Sequence, residues 1–129
     1  GPEHLARAVL EACAFAMRDV VIRLEALGLP AAQIVLAGGG ARSAAWAQIR
    51  ADILDLPVAR ATPDEACAMG AAMLAAVAAG AAPDLAACAA RIAPPVTVAT
   101  PTPAARAACD EAYGRYRALY DALRPTFGP

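Results

Sequence analysis

Lysine and asparagine are missing from the 129 residues, and histidine occurs once. All 11 basic residues are therefore arginine, set against 12 acidic ones for a net charge of -1. A chain so nearly neutral exerts no long-range pull on nucleic acid or on an anionic membrane surface. Without lysine there is no P-loop, whose phosphate grip ends in Lys-Ser/Thr. Aromatic residues amount to 5%, so the core must be assembled from Leu, Val, Ile and Met. Zinc spacing is lacking too: Cys13, Cys67, Cys88 and Cys109 are scattered singly and form no CxxC pair. With no signal peptide ahead of them, they read as reduced core thiols of a cytoplasmic protein.

What is present is alanine. Hydrophobic residues reach 60%, but 39 of them are Ala, which bury little surface and let helices approach closely. That content is too apolar, and the charge too low, for a disordered chain, and 13.0 kDa leaves room for one small domain. Residues 66–83 carry no charge, the length at which a membrane span is considered. Most of the run is Ala, however, with Gly70 and Gly80 inside and Glu65 and Asp84 at its flanks. It reads as a fully buried helix of a soluble protein.

Apolar residues at three- and four-residue spacing (Leu5, Val9, Ala12, Ala16, Val20, Leu24) predict a helix over residues 3–27, stopped by Gly28. Gly1-Pro2 reads as a scar of tag cleavage. Residues 33–37 form a short apolar run bounded by turn residues, a buried strand. A glycine turn, a helix over 43–54, a second strand over 57–61 and an Ala-rich helix over 64–79 follow. Residues 84–91 form a weaker helix, residues 94–103 are extended and proline-punctuated, and residues 104–123 close the chain as an amphipathic helix. The middle is a βαβα unit with a short parallel strand pair. Two parallel strands make a poor sheet alone, so the chain reads as part of something larger.

Chemical content concentrates in Gly38-Gly39-Gly40-Ala41-Arg42-Ser43. Glycines directly after a strand admit positive φ and let another group approach without meeting a Cβ. Ser43 suits the N-cap of the next helix. A row of free N–H groups at a helix N-terminus attracts anions, phosphate above all. The alternative is a tight turn with no ligand. A dinucleotide G-x-G-x-x-G would need a third glycine where Ser43 stands.

Extended through Trp46, Gln48-Ile49, Ala51-Asp52-Ile53-Leu54 and Pro57-Val58, this stretch resembles the C-terminal domain of the FGGY carbohydrate kinases, most closely the xylulokinases. His4-Leu5, Ala8-Val9-Leu10-Glu11, Glu65-Ala66, Ala68-Met69-Gly70-Ala71-Ala72 and Tyr113, Tyr116-Arg117, Leu119-Tyr120, Leu123-Arg124-Pro125 resemble the same family in the same order. The resemblance implies an α/β fold, part of an actin/hexokinase-like (ribonuclease H-like) ATPase domain. It implies that residues 3–129 are the C-terminal part of the second domain, without the N-terminal domain and the opening strands. It implies ATP as phosphate donor, held by Gly38, Gly39, Gly40, Ala41, Arg42 and Ser43. The parent would phosphorylate D-xylulose to xylulose 5-phosphate. Alternatives are glycerol, gluconate or ribulose as substrate, or a non-catalytic helical interaction module. No catalytic residue and no metal ligand is expected here: base, magnesium ligands and sugar pocket would lie outside, leaving the isolated chain inactive. Expected partners are ATP/ADP, a sugar through the missing domain, and further copies of the chain through exposed strand or helix faces, with neither nucleic acid nor membrane.

Among single residues, Trp46 reads as core rather than as a base-stacking ring, and Ser43 as a cap. Arg42 stays open between a phosphate contact and a solvated charge. Glu11 reads as structural, His4 as idle, and Gly70 as a point of close helix–strand or helix–nucleotide approach.

Overall fold

The computed structural model describes residues 1–62 and 65–127. In chain order the elements are α1 (Pro2–Ala26), β1 (Ile34–Leu36), a 3-10 turn (Gly39–Arg42), α2 (Ala44–Leu54), β2 (Val58–Arg60), α3 (Ala66–Ala78), α4 (Leu85–Ala89), β3 (Val96–Ala99), a second 3-10 turn (Pro103–Ala105), α5 (Arg106–Leu123) and a third (Arg124–Phe127). The expected start of the Ala-rich helix at residue 64 lies outside the described residues. Pro2 occupies the first turn of α1, where its missing N–H costs nothing. At the other end the Leu29 N–H donates to the Leu24 carbonyl and the Gly28 N–H to that of Glu25, a Schellman closure.

The three strands lie in the order β1-β2-β3. β1 and β2 run parallel with Ile34 opposite Val58 and Leu36 opposite Arg60. β3 runs antiparallel to β2, pairing Val58 with Ala99 and Arg60 with Val96, with an irregularity at Val58/Ala59. The sheet is therefore mixed, not the bare parallel pair expected. Residues 94–103 look like a linker because Pro94, Pro95, Pro101 and Pro103 punctuate them, yet all four prolines flank β3 and none interrupts its ladder.

α2 carries the packing. Ala47 and Ala51 face a core of Leu36, Ala41, Val58 and Ala99 on the sheet side. Ile49 and Ile53 face Ala14 and Phe15 of α1, with Tyr113 and Tyr116 of α5 packed alongside. Phe15 lies 5.4 Å from the Tyr116 ring and 6.0 Å from that of Tyr113, aromatic contacts that add to the area they bury.

Two expectations about burial fail. No residue of α3 is buried, so the Ala-rich helix is not a core helix here; α3 and α4 shelter mainly each other. A Cβ on Gly70 would meet nothing within 4 Å, so no described strand makes the close approach expected there. Among the described residues no helix is long and apolar enough to cross a membrane. The cysteines are all free, but Cys13 and Cys67 are exposed and Cys88 and Cys109 half-buried, so they are not core thiols. Small side chains on an Ala-rich surface gave no periodicity from which to tell inside from outside.

Polar groups clamp α5 onto α1. Arg18 and Arg106 both donate to Asp110, and Arg106 also pairs with Asp55. The Tyr113 hydroxyl donates to Asp19 at 2.6 Å, and Arg117 donates to the same carboxylate at 2.8 Å. Burial first, then the hydrogen bond to Asp19, push the Tyr113 phenol up, so it remains a donor. Hydrogen bonds from Arg18 first and Arg106 second hold the Asp110 carboxyl below its ordinary range. A folded-state pKa below the unfolded one adds stability above the unfolded value and loses it as pH falls through the folded one. The stability gap between wild type and Asp110→Asn, read from urea midpoints, should therefore be present at neutral pH and shrink as pH falls below the ordinary carboxylate range. A gap unchanged at acid pH would show that the carboxylate charge contributes nothing to the clamp.

Candidate functional site

The glycine turn between β1 and α2 assigns different duties to its three glycines. Gly38 sits at φ 76 and ψ -169, a conformation essentially closed to other residues. A Cβ on Gly40 would lie 2.8 Å from Cζ3 of Trp46, so the indole requires glycine there. Gly39 has an ordinary backbone and open space where a Cβ would stand. Nothing in the fold explains why it is glycine.

The N–H groups are also unequal. Ala41 donates its N–H to the Gly38 carbonyl at 3.0 Å, closing the 3-10 turn, and its side chain is buried in the sheet-side core. Among the described residues no acceptor takes the N–H of Gly39 or Gly40. The expected row of free donors is thus a pair, Gly39 and Gly40. Ser43 caps α2 as expected, its Oγ accepting the Trp46 N–H at 3.2 Å. Arg42 is exposed and lies 3.5 Å from Glu65, which joins the turn electrostatically to the start of α3.

Four residues of α2 shape the surroundings, of which only Arg50 lies outside the motif read from the sequence. The Arg50 side chain turns back under the turn, stacks 3.7 Å over the Trp46 ring and approaches the Gly40 carbonyl at 3.5 Å. Trp46 is half-buried and belongs to neither core cluster, so it is not the plain core residue expected. Gln48 donates through Nε2 to Asp52 at 2.8 Å, to the Thr100 carbonyl at 2.9 Å and to the Thr102 hydroxyl at 3.2 Å. The Thr102 N–H returns to Asp52 at 2.8 Å. This knot ties the strand leaving the sheet to the helix that begins at the glycine turn. Its signal was available: a polar pair four residues apart on a helix otherwise apolar on two faces.

The remaining candidates stay apart from the turn. His4 is exposed beside Glu3, and Glu11 accepts from Arg7 one helical turn away at 2.7 Å. Among the described residues no three His, Cys, Asp or Glu side chains are grouped to hold a metal ion.

Residues 1–79, from α1 through α3, match the model of the FGGY family of carbohydrate kinases, C-terminal domain. The chain belongs to that family. FGGY relatives include a ribulokinase of Mycolicibacterium smegmatis, 39% identical over 90% of this chain and 20% of its own length. A xylulose kinase of Escherichia coli is 45% identical over 61% of this chain and 16% of its own. The xylulose kinase structure from Rhodospirillum rubrum aligns with 96% of this chain and 25% of its own at a TM-score of 0.72 and 36% identity. A xyloylose kinase from Brucella ovis aligns over 95% of this chain and 26% of its own at 0.76 and 38%. The fold is thus that of the actin/hexokinase-like sugar kinases, and α4, β3 and α5 lie within the structural match. The chain spans between 16% and 26% of the length of these relatives.

The three glycines separate in a substitution series. Gly38→Ala and Gly40→Ala should each destabilise by about 1–3 kcal/mol, the first through backbone strain and the second through overpacking on Trp46. Gly39→Ala should be neutral or stabilise by up to about 1 kcal/mol through the unfolded chain. Urea denaturation of the three variants decides. Equal losses at all three positions would contradict the division of duties.

Proposed function

We propose that this chain is the nucleotide-side part of an ATP-dependent FGGY sugar kinase whose full-length parent phosphorylates D-xylulose. The observation that carries the reading is Gly39: a glycine the fold does not require, with a free N–H next to another free N–H, at the entrance to α2. Phosphate oxygens are the natural acceptors for such a pair. Likeness to two kinase structures named for xylulose supports the substrate. A ribulokinase that matches over 90% of this chain favours a second reading, ribulose.

In phosphoryl transfer the protein mainly positions the reactants and stabilises charge. The part assigned to this chain is to seat the nucleotide phosphates on Gly39 and Gly40, with Gly38, Ala41 and Ser43 fixing the turn and Arg42 at its rim. Among the described residues no carboxylates are grouped to hold magnesium. Base and sugar contacts are assigned to the rest of the parent, which also decides between xylulose, ribulose, gluconate and glycerol.

An ADP titration of the 129-residue chain, followed by amide NMR with adenosine as control, tests the seat. The Gly39 and Gly40 amides should move first, at millimolar ADP, an affinity of about 4 kcal/mol. Gly39→Val should abolish the response and keep the fold; Gly40→Val is unsuitable because it strikes Trp46. Turn amides unmoved at several millimolar ADP would overturn the reading.

Self-association is a further part of the proposal. β1 is an edge strand, and Leu5 and Val9 of α1 are 70% and 59% exposed, so the chain offers both an open strand edge and an exposed apolar helix face. Sedimentation at micromolar concentration should give a dimer or larger; a clean monomer would remove this part.

A further inference from the structure

Arg50 is only 8% exposed, the one charged residue in the core of the described chain. A buried guanidinium ordinarily answers to a carboxylate, because an unpaired charge away from water is costly. Arg50 has none. Among the described residues no acid lies within ion-pair distance, Nε has no acceptor, and the approach to the Gly40 carbonyl at 3.5 Å is long for a hydrogen bond. Trp46 Nε1 is likewise buried without an acceptor.

The geometry forms three layers. Gly40 rests against the edge of the indole, and the guanidinium lies over the ring 3.7 Å from its centre. Stacking on the ring compensates part of the lost hydration. Burial lowers the Arg50 pKa, with Cys13 opposing, but a guanidinium starts so high that it stays charged at every physiological pH. A permanent cation with no carboxylate partner among the described residues therefore lies against the Gly40 carbonyl, within the turn that carries the two free N–H groups. The positive end of α2 adds to it. Among the described residues, Glu65 at the rim pairs with Arg42.

We infer that Arg50 sets the charge of the glycine turn and makes the seat selective for polyanionic ligands, nucleoside diphosphate over nucleoside. The inference rests on the phosphate reading of the turn. Arg50 acts as a positioning residue: it reaches the ligand through its field and through the Gly40 carbonyl, whose negative end it draws toward itself. A Coulomb interaction across several ångströms of partly dry protein corresponds to roughly a tenfold change in affinity.

The test compares the 129-residue wild type with Arg50→Met, Arg50→Gln and Arg50→Lys, titrated with ADP and with adenosine at low and high salt and read at the Gly39 amide. Met keeps the packing stem without charge, Gln keeps a donor without charge, and Lys keeps the charge without the planar fork. Met and Gln should weaken ADP about tenfold and flatten its salt dependence, leave adenosine unchanged, and Lys should restore most of the loss. Should Met fail to give a dispersed spectrum, the Gln and Lys pair carries the same comparison. Wild-type ADP affinity in a folded Met or Gln variant would overturn the inference and leave the phosphate reading standing. A wild type whose turn amides ignore ADP would remove both.

Discussion

Everything in the molecule depends on α2 having two faces to bury and side chains of the right size for each. Alanines 47 and 51, 1% and 0% exposed, bring the helix down onto the sheet. Isoleucines 49 and 53 fill the wider gap toward α1 and α5. A larger residue at 51 would push the sheet away, and a smaller one at 53 would leave a cavity. The glycine turn inherits its position from this arrangement: it is the first thing the chain does before α2, and Ser43 fixes where the helix begins.

Local chemistry was legible in the sequence wherever a single residue type has one structural use. Gly28 after an apolar helical pattern and Ser43 before α2 act as caps where expected. The βαβα unit followed from the switch of apolar period between residues 33–37 and 43–54. What escaped was decided by partners distant in the chain. β3 was hidden because proline reads as a breaker wherever it stands, and only the fold shows that Val96–Ala99 fits between the prolines. The exposure of α3 was hidden because alanine is equally at home inside and outside. Arg50 was passed over because a lone arginine in a helix is ordinarily solvated; its neighbours Ile49 and Ala51 were the available hint.

The candidate site was legible as a place but not as a division of labour. Three consecutive glycines look interchangeable in a motif. In the fold one serves the backbone, one serves the indole, and one serves neither. The proposed function gives the third to a nucleotide phosphate and leaves what acts on the sugar to the rest of the parent. Gln48 and Asp52 then have a mechanical meaning. They hold the Thr100–Thr102 connection against α2, so that β3 and α5 cannot shift without moving the helix that begins at the turn.

The alanine core has a thermodynamic consequence. Six of the thirteen buried apolar side chains among the described residues are alanine, so the elements sit close together while removing little hydrocarbon from water. Heat-capacity change on unfolding scales with the apolar surface exposed. A core of this kind gives a small value, and with it a shallow curve of stability against temperature. Such a chain neither gains much on mild cooling nor loses much on mild warming; its stability is even across temperature rather than sharply peaked.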